Sequence, residues 1–550
     1  MSTRSTGLLK DAVIVTDSRL LEKTVHRPVL EGASEILYKT WEPTSASNSG
    51  ITFSCNTPLQ GAEIDRNIQI LVPCRVSCSA VWTAGQNGQY LAQPNKIGIR
   101  SYPIHKALNV LELGLNNQRF RVNIGEIITG LEHLNTSRKL KLLEYSKSAT
   151  YGTCQSQRFS DMNLGIRSGL STFEDSISGI SPQNFPFTVY SNTPAAVGNT
   201  YTASCTIDLV SIESLWLSPC YWGDWENNFD AFCNVSHLDC NLKFCSNPAF
   251  RMIAIDNTDA NGNDRGGTVN GNLQVSFTAS DNFSYSDLEP RLFVQYIKPQ
   301  HPRSIEKPIV YPYYQIDNFK TTHKTTIASY SSDVIEFNDI LLHKLPSKIY
   351  IWARKPNSTF LSDPFTPDCF LGIDKLELFW NNRTVLSEAH KGQLYDLSVK
   401  NGLQLEYAQW SGYLLNKNLN VLGNFGTQPA QFGGTGAIFC VDPLDLGLDS
   451  QIAYDPNCSI PFGIKATCKN LTTDSITPEL HVVVLYDGIM INDHGAIRTQ
   501  LGIAETKLGA SDVLAIKTSV PKKIGNHGDY KIDVPTLMRK NLKRDTNDLA

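Results

Sequence analysis

The stretch "NTDANGND", residues 257–264, is the first place where side-chain spacing suggests chemistry. Asn257, Asp259 and Asn261 alternate and Gly262 follows, as in loops that wrap oxygen ligands around a hard cation. A calcium-binding EF-hand closes its shell with a carboxylate at the twelfth position, and Thr268 stands there instead. We read a polar loop, with a weak cation site as the alternative. "FGGTG" at 432–436 matches neither phosphate-binding glycine pattern and is read as a flexible β turn. Neither a G-x-S-x-G elbow nor an H-E-x-x-H helix motif occurs. His26, His105, His133, His237, His390 and His494 have no neighbour at metal-ligand spacing, so each is read as a surface or satisfied structural residue. Carboxylate pairs can be assembled by folding alone, but here Asp and Glu are spread without a local signature. No catalytic, cofactor or metal residue is assigned, and the chain is read as not an enzyme.

Aromatic side chains are more concentrated. "SLWLSPCYWGDWENNF", 214–229, contains Trp216, Trp222 and Trp225, and "IVYPYYQIDNF", 309–319, contains Tyr311, Tyr313 and Tyr314. Such clusters suit a sugar-stacking platform, a subunit interface or a core in which the polar ends of Tyr and Trp find partners. Core or interface is the preferred reading for these six.

The elements that would position them are mostly strands. "NLQVSFTAS" puts Leu273, Val275, Phe277 and Ala279 on one face, and "LQLEY" alternates Leu403, Leu405 and Tyr407. "IYIWA" at 349–353 and "LHVVVLY" at 480–486 are apolar on both faces, which places them inside a sandwich or against a second surface. Long polar loops separate the strands, as in sandwiches and jelly rolls. The 550 residues accommodate two large β units. With 49 basic and 53 acidic residues the net charge is −4, so the body carries no bulk affinity for nucleic acid or anionic membranes. No apolar run approaches the ~18 residues of a membrane span, and the N-terminus lacks a signal-type apolar region; a soluble, non-secreted chain is expected. The 13 cysteines form no paired C-x-x-C knuckles and mostly sit in apolar runs, as reduced, buried small hydrophobes do. By the same reading, the glycosylation triplets at Asn282, Asn357 and Asn382 are polar turns.

"LELGLNN", 111–117, returns about 265 residues later as "LELFWNN", 376–382, with five of seven letters unchanged. Asn suits a tight corner because it tolerates left-handed backbone angles and bonds nearby backbone, so Asn116, Asn117, Asn381 and Asn382 are read as a structural turn motif. After the first copy, Ile127, Ile128, Leu131 and Leu134 fall on one face of a helix. After the second, Leu386, Ala389, Leu394 and Leu397 have comparable spacing. Each copy is therefore expected to run strand, Asn-Asn turn, short amphipathic helix. A duplication into two tandem domains follows, joined near the proline-interrupted segment 296–308. Phe379 and Trp380 replace Gly114 and Leu115, so the two corners should pack differently.

The chain resembles the double jelly-roll major capsid proteins of the lineage that includes virophages, polinton-like viruses and adintoviruses. The matching stretches are "ITFSCNTPLQGAEIDRNIQILVPCRV", "SYPIHKALNVLELGLNNQRFRVNIGEII", "SIESLWLSPCYW" and "RLFVQYIKP" in the first half. In the second half they are "IVYPYYQIDNF", "LPSKIYIWARK", "LGIDKLELFWNNRTVLSEAHKGQLYDLSVKNG", "GAIFCVDPLDLGL" and "PELHVVVLYDG". The resemblance implies an all-β fold of two tandem eight-stranded antiparallel jelly rolls with short helices in loops. It further implies a homotrimer outlined as a pseudo-hexagon, many copies of which tile an icosahedral shell around double-stranded DNA, and it carries over no active site.

The domains are expected as an N-terminal arm at 1–50 with a helix near "SRLLEKTV", a first jelly roll at 51–300, a second at 301–510 and a basic tail at 511–550. The tail carries Lys517, Lys522, Lys523, Lys531, Arg539, Lys540, Lys543 and Arg544, which suit weak contact with the genome or an acidic partner, or a plain solvated segment. Other expected partners are further copies of the chain, penton proteins and minor capsid proteins; the expected location is the virion capsid, assembled inside the host cell. The alternative reading is a jelly-roll glycan-binding or carbohydrate-active protein that uses the Trp cluster.

Overall fold

The computed structural model describes residues 12–16, 26–30, 33–59, 61–83, 96–99, 102–131, 185–186, 188–189, 200–220, 231–255, 268–278, 289–300, 308–328, 331–342, 344–356, 370–403, 407–411, 414–415, 431–432, 437–448, 460–470 and 475–501. The 257–264 and 433–436 loops, the 18–25 segment, Trp222, Trp225 and the 511–550 tail lie outside them.

Sixteen of the strands among the described residues form two corresponding sets of eight, and short strands such as Ser45–Ser47, Thr188–Val189 and Thr268–Gln274 extend the sheets of the first. The first unit comprises β1 (Ala33–Trp41), β2 (Gly50–Asn56), β3 (Gln69–Thr83), β4 (Leu108–Leu115), β5 (Gln118–Val122), β6 (Thr200–Ser214), β7 (His237–Phe244) and β8 (Arg291–Pro299). The second comprises β9 (Ile309–Thr322), β10 (Ser332–Leu342), β11 (Lys348–Arg354), β12 (Gly372–Trp380), β13 (Arg383–His390), β14 (Ile438–Val441), β15 (Ile460–Lys469) and β16 (Glu479–Asp493). The sheets of the first unit run β5-β4-β7-β2 and β6-β3-β8-β1; those of the second run β13-β12-β15-β10 and β14-β11-β16-β9. Adding eight to each label converts one unit into the other. All ladders are antiparallel, and this double four-strand order is that of a jelly roll. A further strand, β17 (Ala496–Leu501), turns back along β16.

Alternation makes the cores. In β7, Leu238, Cys240, Leu242 and Phe244 point inward between half-exposed neighbours, and Leu292, Val294 and Tyr296 do so in β8. β16 is buried on both faces over most of its length, as its apolar run requires. Burying each such side chain contributes roughly 1.5–3 kcal/mol. Among the described residues nine cysteines are free and eight of these are buried, where loss of water pushes the Cys55, Cys220 and Cys440 thiols up to about 12. His105 is also satisfied within the core: Glu213 accepts from its Nδ1 and from the backbone N–H groups of Ile104 and His105, tying helix α1 (Pro103–Ala107) to β6.

Two expectations need correction. The Asn-Asn corners are hairpin turns between β4 and β5 and between β12 and β13, so a strand separates each from its helix, α2 (Ile124–Leu131) or α3 (Lys391–Lys400). Leu386 and Ala389 accordingly lie in β13, and only Leu394 and Leu397 are helical; a short strand with apolar residues at that spacing imitates a helix face. Residues 33–41, assigned to an arm, form β1 and pair with β8 along its length, with the Trp41 indole N–H donating to the Tyr296 hydroxyl at 3.0 Å. Ile36, Leu37 and Tyr38 are consecutive apolar residues, so β1 lacks the alternation that announces a strand.

The two corners share a backbone and differ in packing. Asn116 has φ +50° and donates its N–H to His237 O at 2.9 Å; Asn381 has φ +49° and donates to Pro461 O at 2.9 Å. Gly114 stands opposite Asp239, whose Cβ would lie 3.3 Å from any added Cβ, whereas Phe379 stands opposite Gly463. Large and small residues have changed strands. Trp380 then meets Phe462 edge-on at 5.9 Å. Gly463→Val should therefore destabilise the second unit by about 1–3 kcal/mol through overpacking, because an added Cβ would lie 2.8 Å from Asn338 Oδ1 and the valine methyls would crowd Phe379, whose Cβ is 3.5 Å away. Adding Phe379→Gly should recover at least about 0.5 kcal/mol of the summed losses, and strict additivity in urea unfolding would contradict this pairing.

Candidate functional site at the junction of the two units

The first hairpin is a clamp. With its backbone committed to the turn, Asn116 projects its amide beyond the tip. Its Nδ2 donates to Asn234 O at 2.9 Å in its own unit and to Gly495 O at 2.8 Å in the other. Its Oδ1 accepts from Ser236 N, Ser236 Oγ and His237 N. Asn117 imitates a peptide group: Nδ2 donates to Ile497 O at 3.3 Å and Oδ1 accepts from Ile497 N at 3.0 Å. Asn492 extends the seam by donating to Cys233 O and by accepting from Gly495 N. Gly495 sits at φ +96°, a backbone angle that favours glycine, directly under this clamp. Asn381 and Asn382, in contrast, are exposed.

The tyrosines of β9 form the middle of the junction. Tyr311 is fully buried; its hydroxyl donates to Ala231 O at 3.0 Å and accepts from Cys233 N at 2.8 Å, and its ring meets Phe232 at 5.5 Å. Burial drives that hydroxyl far above the ordinary tyrosine range, so it stays a donor. Tyr313 packs on Phe120 at 5.6 Å, and Tyr314 N–H donates to Ser218 Oγ at 2.8 Å. Trp216 belongs to the interior of the first unit, 3% exposed and edge-on to Tyr102, so it presents no face for sugar stacking.

Helix α2 closes the far end. Ile124, Ile127, Ile128 and Leu131 are buried, and Gly130 lies so close to Trp352 of β11 that an added Cβ would be 2.9 Å from the indole ring. Glu126 accepts from Lys320 Nζ at 2.9 Å and Asn318 Nδ2 at 3.0 Å; burial would raise its pKa, but the Lys320 ammonium outweighs that and the carboxylate titrates below its usual range. Buried Arg354 donates through Nη1 to Thr129 Oγ1 at 3.1 Å and through Nε to His481 Nε2 at 3.3 Å. His481 is fully buried and stacked on Trp352 at 5.8 Å. Burial first, and the Arg354 charge second, depress its pKa to about 4, so the imidazole is neutral and Nε2 accepts from Arg354. Glu479 Oε2, 3.4 Å from the same nitrogen, then has no donor.

The histidine and Arg354 were not among the residues singled out by sequence. Their only signal was the two-faced apolar character of β11 and β16, which end in Arg354 and begin at Glu479. The arrangement aligns no nucleophile with a base. Among the described residues, no group of three His, Cys, Asp or Glu could hold a metal ion. A cleft of about 30 Å³ beside Phe120, Leu217 and Tyr313 has room for water rather than substrate. What the junction does is hold two jelly rolls in one orientation.

Residues 10–282 match the family described as Sputnik virophage major capsid protein 1st domain, and residues 316–488 match the major capsid protein V20 C-terminal domain. The chain is similar to the putative capsid protein V20 of Sputnik virophage, 25% identical over 485 residues that cover 86% of this chain and 77% of that protein. Among solved structures it is similar to a chain of the Sputnik virophage cryo-EM structure, with TM-score 0.68, 23% identity and coverage of 96% and 98% of the two chains. The crystal structure of the mavirus major capsid protein follows with TM-score 0.60, 19% identity and coverage of 89% and 93%.

Two outcomes test the junction. Asn116→Ala should cost about 2–4 kcal/mol, losing both the left-handed tolerance and the ties across the seam, while Asn381→Ala should cost only about 1–2. Equal losses in thermal unfolding would remove the clamp from the account. Because the folded His481 resists protonation, its contribution is complete above pH 6.5 and is lost as pH falls from 6.5 towards 4, by on the order of 3 kcal/mol. The slope of stability against pH in that window should flatten in His481→Gln; an unchanged slope would contradict the assignment.

Proposed function

Because the chain belongs to the double jelly-roll major capsid protein family of the virophages, we propose that three copies associate into a capsomer with a pseudo-hexagonal outline. Many such capsomers would tile an icosahedral shell around double-stranded DNA. The observation that carries this reading is the repetition of one eight-strand order in two units that dock head to tail. A head-to-tail contact uses two different surfaces, so it leaves one of each unused at the ends of the pair, and such contacts close into rings when the rotation allows. Three two-unit chains make a ring of six similar lobes, the outline that fills a plane.

The role is structural and needs no catalytic residue, cofactor or metal. The chain would reside in the virion capsid after assembly in the host cell, beside penton and minor capsid proteins. Its basic 511–550 segment has the composition for a weak contact with the genome or an acidic partner.

Purified protein is expected to run at about three times the 61.0 kDa chain mass in light scattering and to form sheets or shells at high concentration in negative stain. Dispersed monomers under both conditions would overturn the capsomer.

A further inference from the structure

The two ends of the junction are built from different chemistry. At the tip end, Asn116, Asn117 and Asn492 join amides to peptide groups, which do not titrate near neutral pH. At the α2 end, ionisable groups face one another from every element packed there: Glu126 on α2, Lys320 on β9, Arg354 on β11, and Glu479 and His481 on β16. The short helix Pro248–Met252 adds Arg251, whose Nη2 donates to Gly125 O at 3.1 Å. His323, near the same end, bonds Asp333 at 3.0 Å within the second unit. Burial raises the pKa of both carboxylates, but Lys320 beside Glu126, and His481, Lys320 and Arg354 beside Glu479, reverse it, so both are ionised where a histidine titrates. Arg354, lowered by burial to about 9, stays charged there. With Lys320 and Arg251 the cluster holds three cations against two carboxylates, and a proton on His481 would add a fourth positive charge.

Within this cluster one acceptor is unused and one hydrogen bond is reversible. His481 Nδ1 lies 3.4 Å from Asn318 Oδ1 and donates to it, which leaves the Nε2 lone pair for Arg354 Nε. The same Nε2 is 3.4 Å from Glu479 Oε2, a buried oxygen without a donor. One nitrogen cannot serve both neighbours: it accepts from the guanidinium when neutral and donates to the carboxylate when protonated. Arg354 is also the residue that reaches Thr129 on α2, at 3.1 Å. We infer that these residues form a proton-operated latch between the jelly rolls. A proton from solvent on His481 Nε2 turns that nitrogen from Arg354 to Glu479 Oε2, and the guanidinium withdraws from its like-charged neighbour and from Thr129. The α2 end then opens, with the Asn116–Asn117 tip as the pivot. The closed form resists the proton and the open form accepts it at the ordinary histidine value, so acid favours opening as pH falls from 6.5 towards 4. Once undocked, the eight residues of α2 are too few to keep their own hydrogen bonds, so opening reaches its backbone amides. The event is local, precedes unfolding of either jelly roll and does not depend on the capsomer.

Hydrogen–deuterium exchange of the full chain, read by mass spectrometry and corrected for the intrinsic pH dependence of amide exchange, tests the latch. Between about pH 7 and about pH 4.5, exchange in residues 124–131 is expected to rise at least about tenfold, while β17 under the tip keeps its protection. Glu479→Gln removes the charge that draws the proton and should move the rise to lower pH. Thr129→Val cuts Arg354 from α2 and should show the raised exchange already at neutral pH. Exchange at 124–131 that ignores pH, or that rises together with β17, would overturn the latch. So would profiles of Glu479→Gln and Thr129→Val that match wild type.

Discussion

The outer face of β16 has to be covered. A strand running Leu480, Val482, Val484 on one side and His481, Val483, Leu485 on the other cannot sit at the surface of a lone sandwich. The first unit covers it, and most of what distinguishes this chain follows from that constraint. Burying the second face draws Arg354 and His481 out of water with it, so both need partners. They bond each other and Thr129, and the neutral state of His481 is the outcome of placing an imidazole beside a guanidinium in an apolar layer.

Polar groups then set the orientation that apolar burial alone would leave loose. Hydrophobic contact is non-directional, whereas the Asn117 amide matches both backbone groups of Ile497 only in one register. Asn116 performs the same function for the preceding turn and serves its own unit with the opposite end of its amide. A residue chosen for a left-handed corner thus gained a second task in the first repeat. In the second repeat the corner remains and its amides are exposed.

Much of the architecture was legible in the residues. The Asn-Asn corners were, because few side chains accept φ near +50°, and so was the second surface over β11 and β16, because no solvated strand is apolar on both faces. β1 was not legible: its partner β8 lies far along the chain, and its apolar residues are consecutive because the edge strand is half covered on one side and bare on the other. The accommodation of Phe379 by Gly463 was also hidden, since local sequence does not reveal which residue stands across a ladder. The clamp on Gly495 and Ile497 depends on a register between segments about 380 residues apart and belongs to the same class. Of the aromatic clusters, Tyr311, Tyr313 and Tyr314 line the junction while Trp216 lies inside the first unit.

The central claim is that the Asn116–Asn117 tip and α2 hold the two jelly rolls of one chain in a single orientation, on which the proposed capsomer depends. A cryo-EM map of the purified assembly at a resolution that separates helices tests it most directly. The account predicts threefold symmetry with the two jelly rolls of each copy joined where the Asn116–Asn117 tip meets Gly495 and Ile497. A twofold dimer, or a map in which that tip lies away from Gly495 and Ile497, would contradict it.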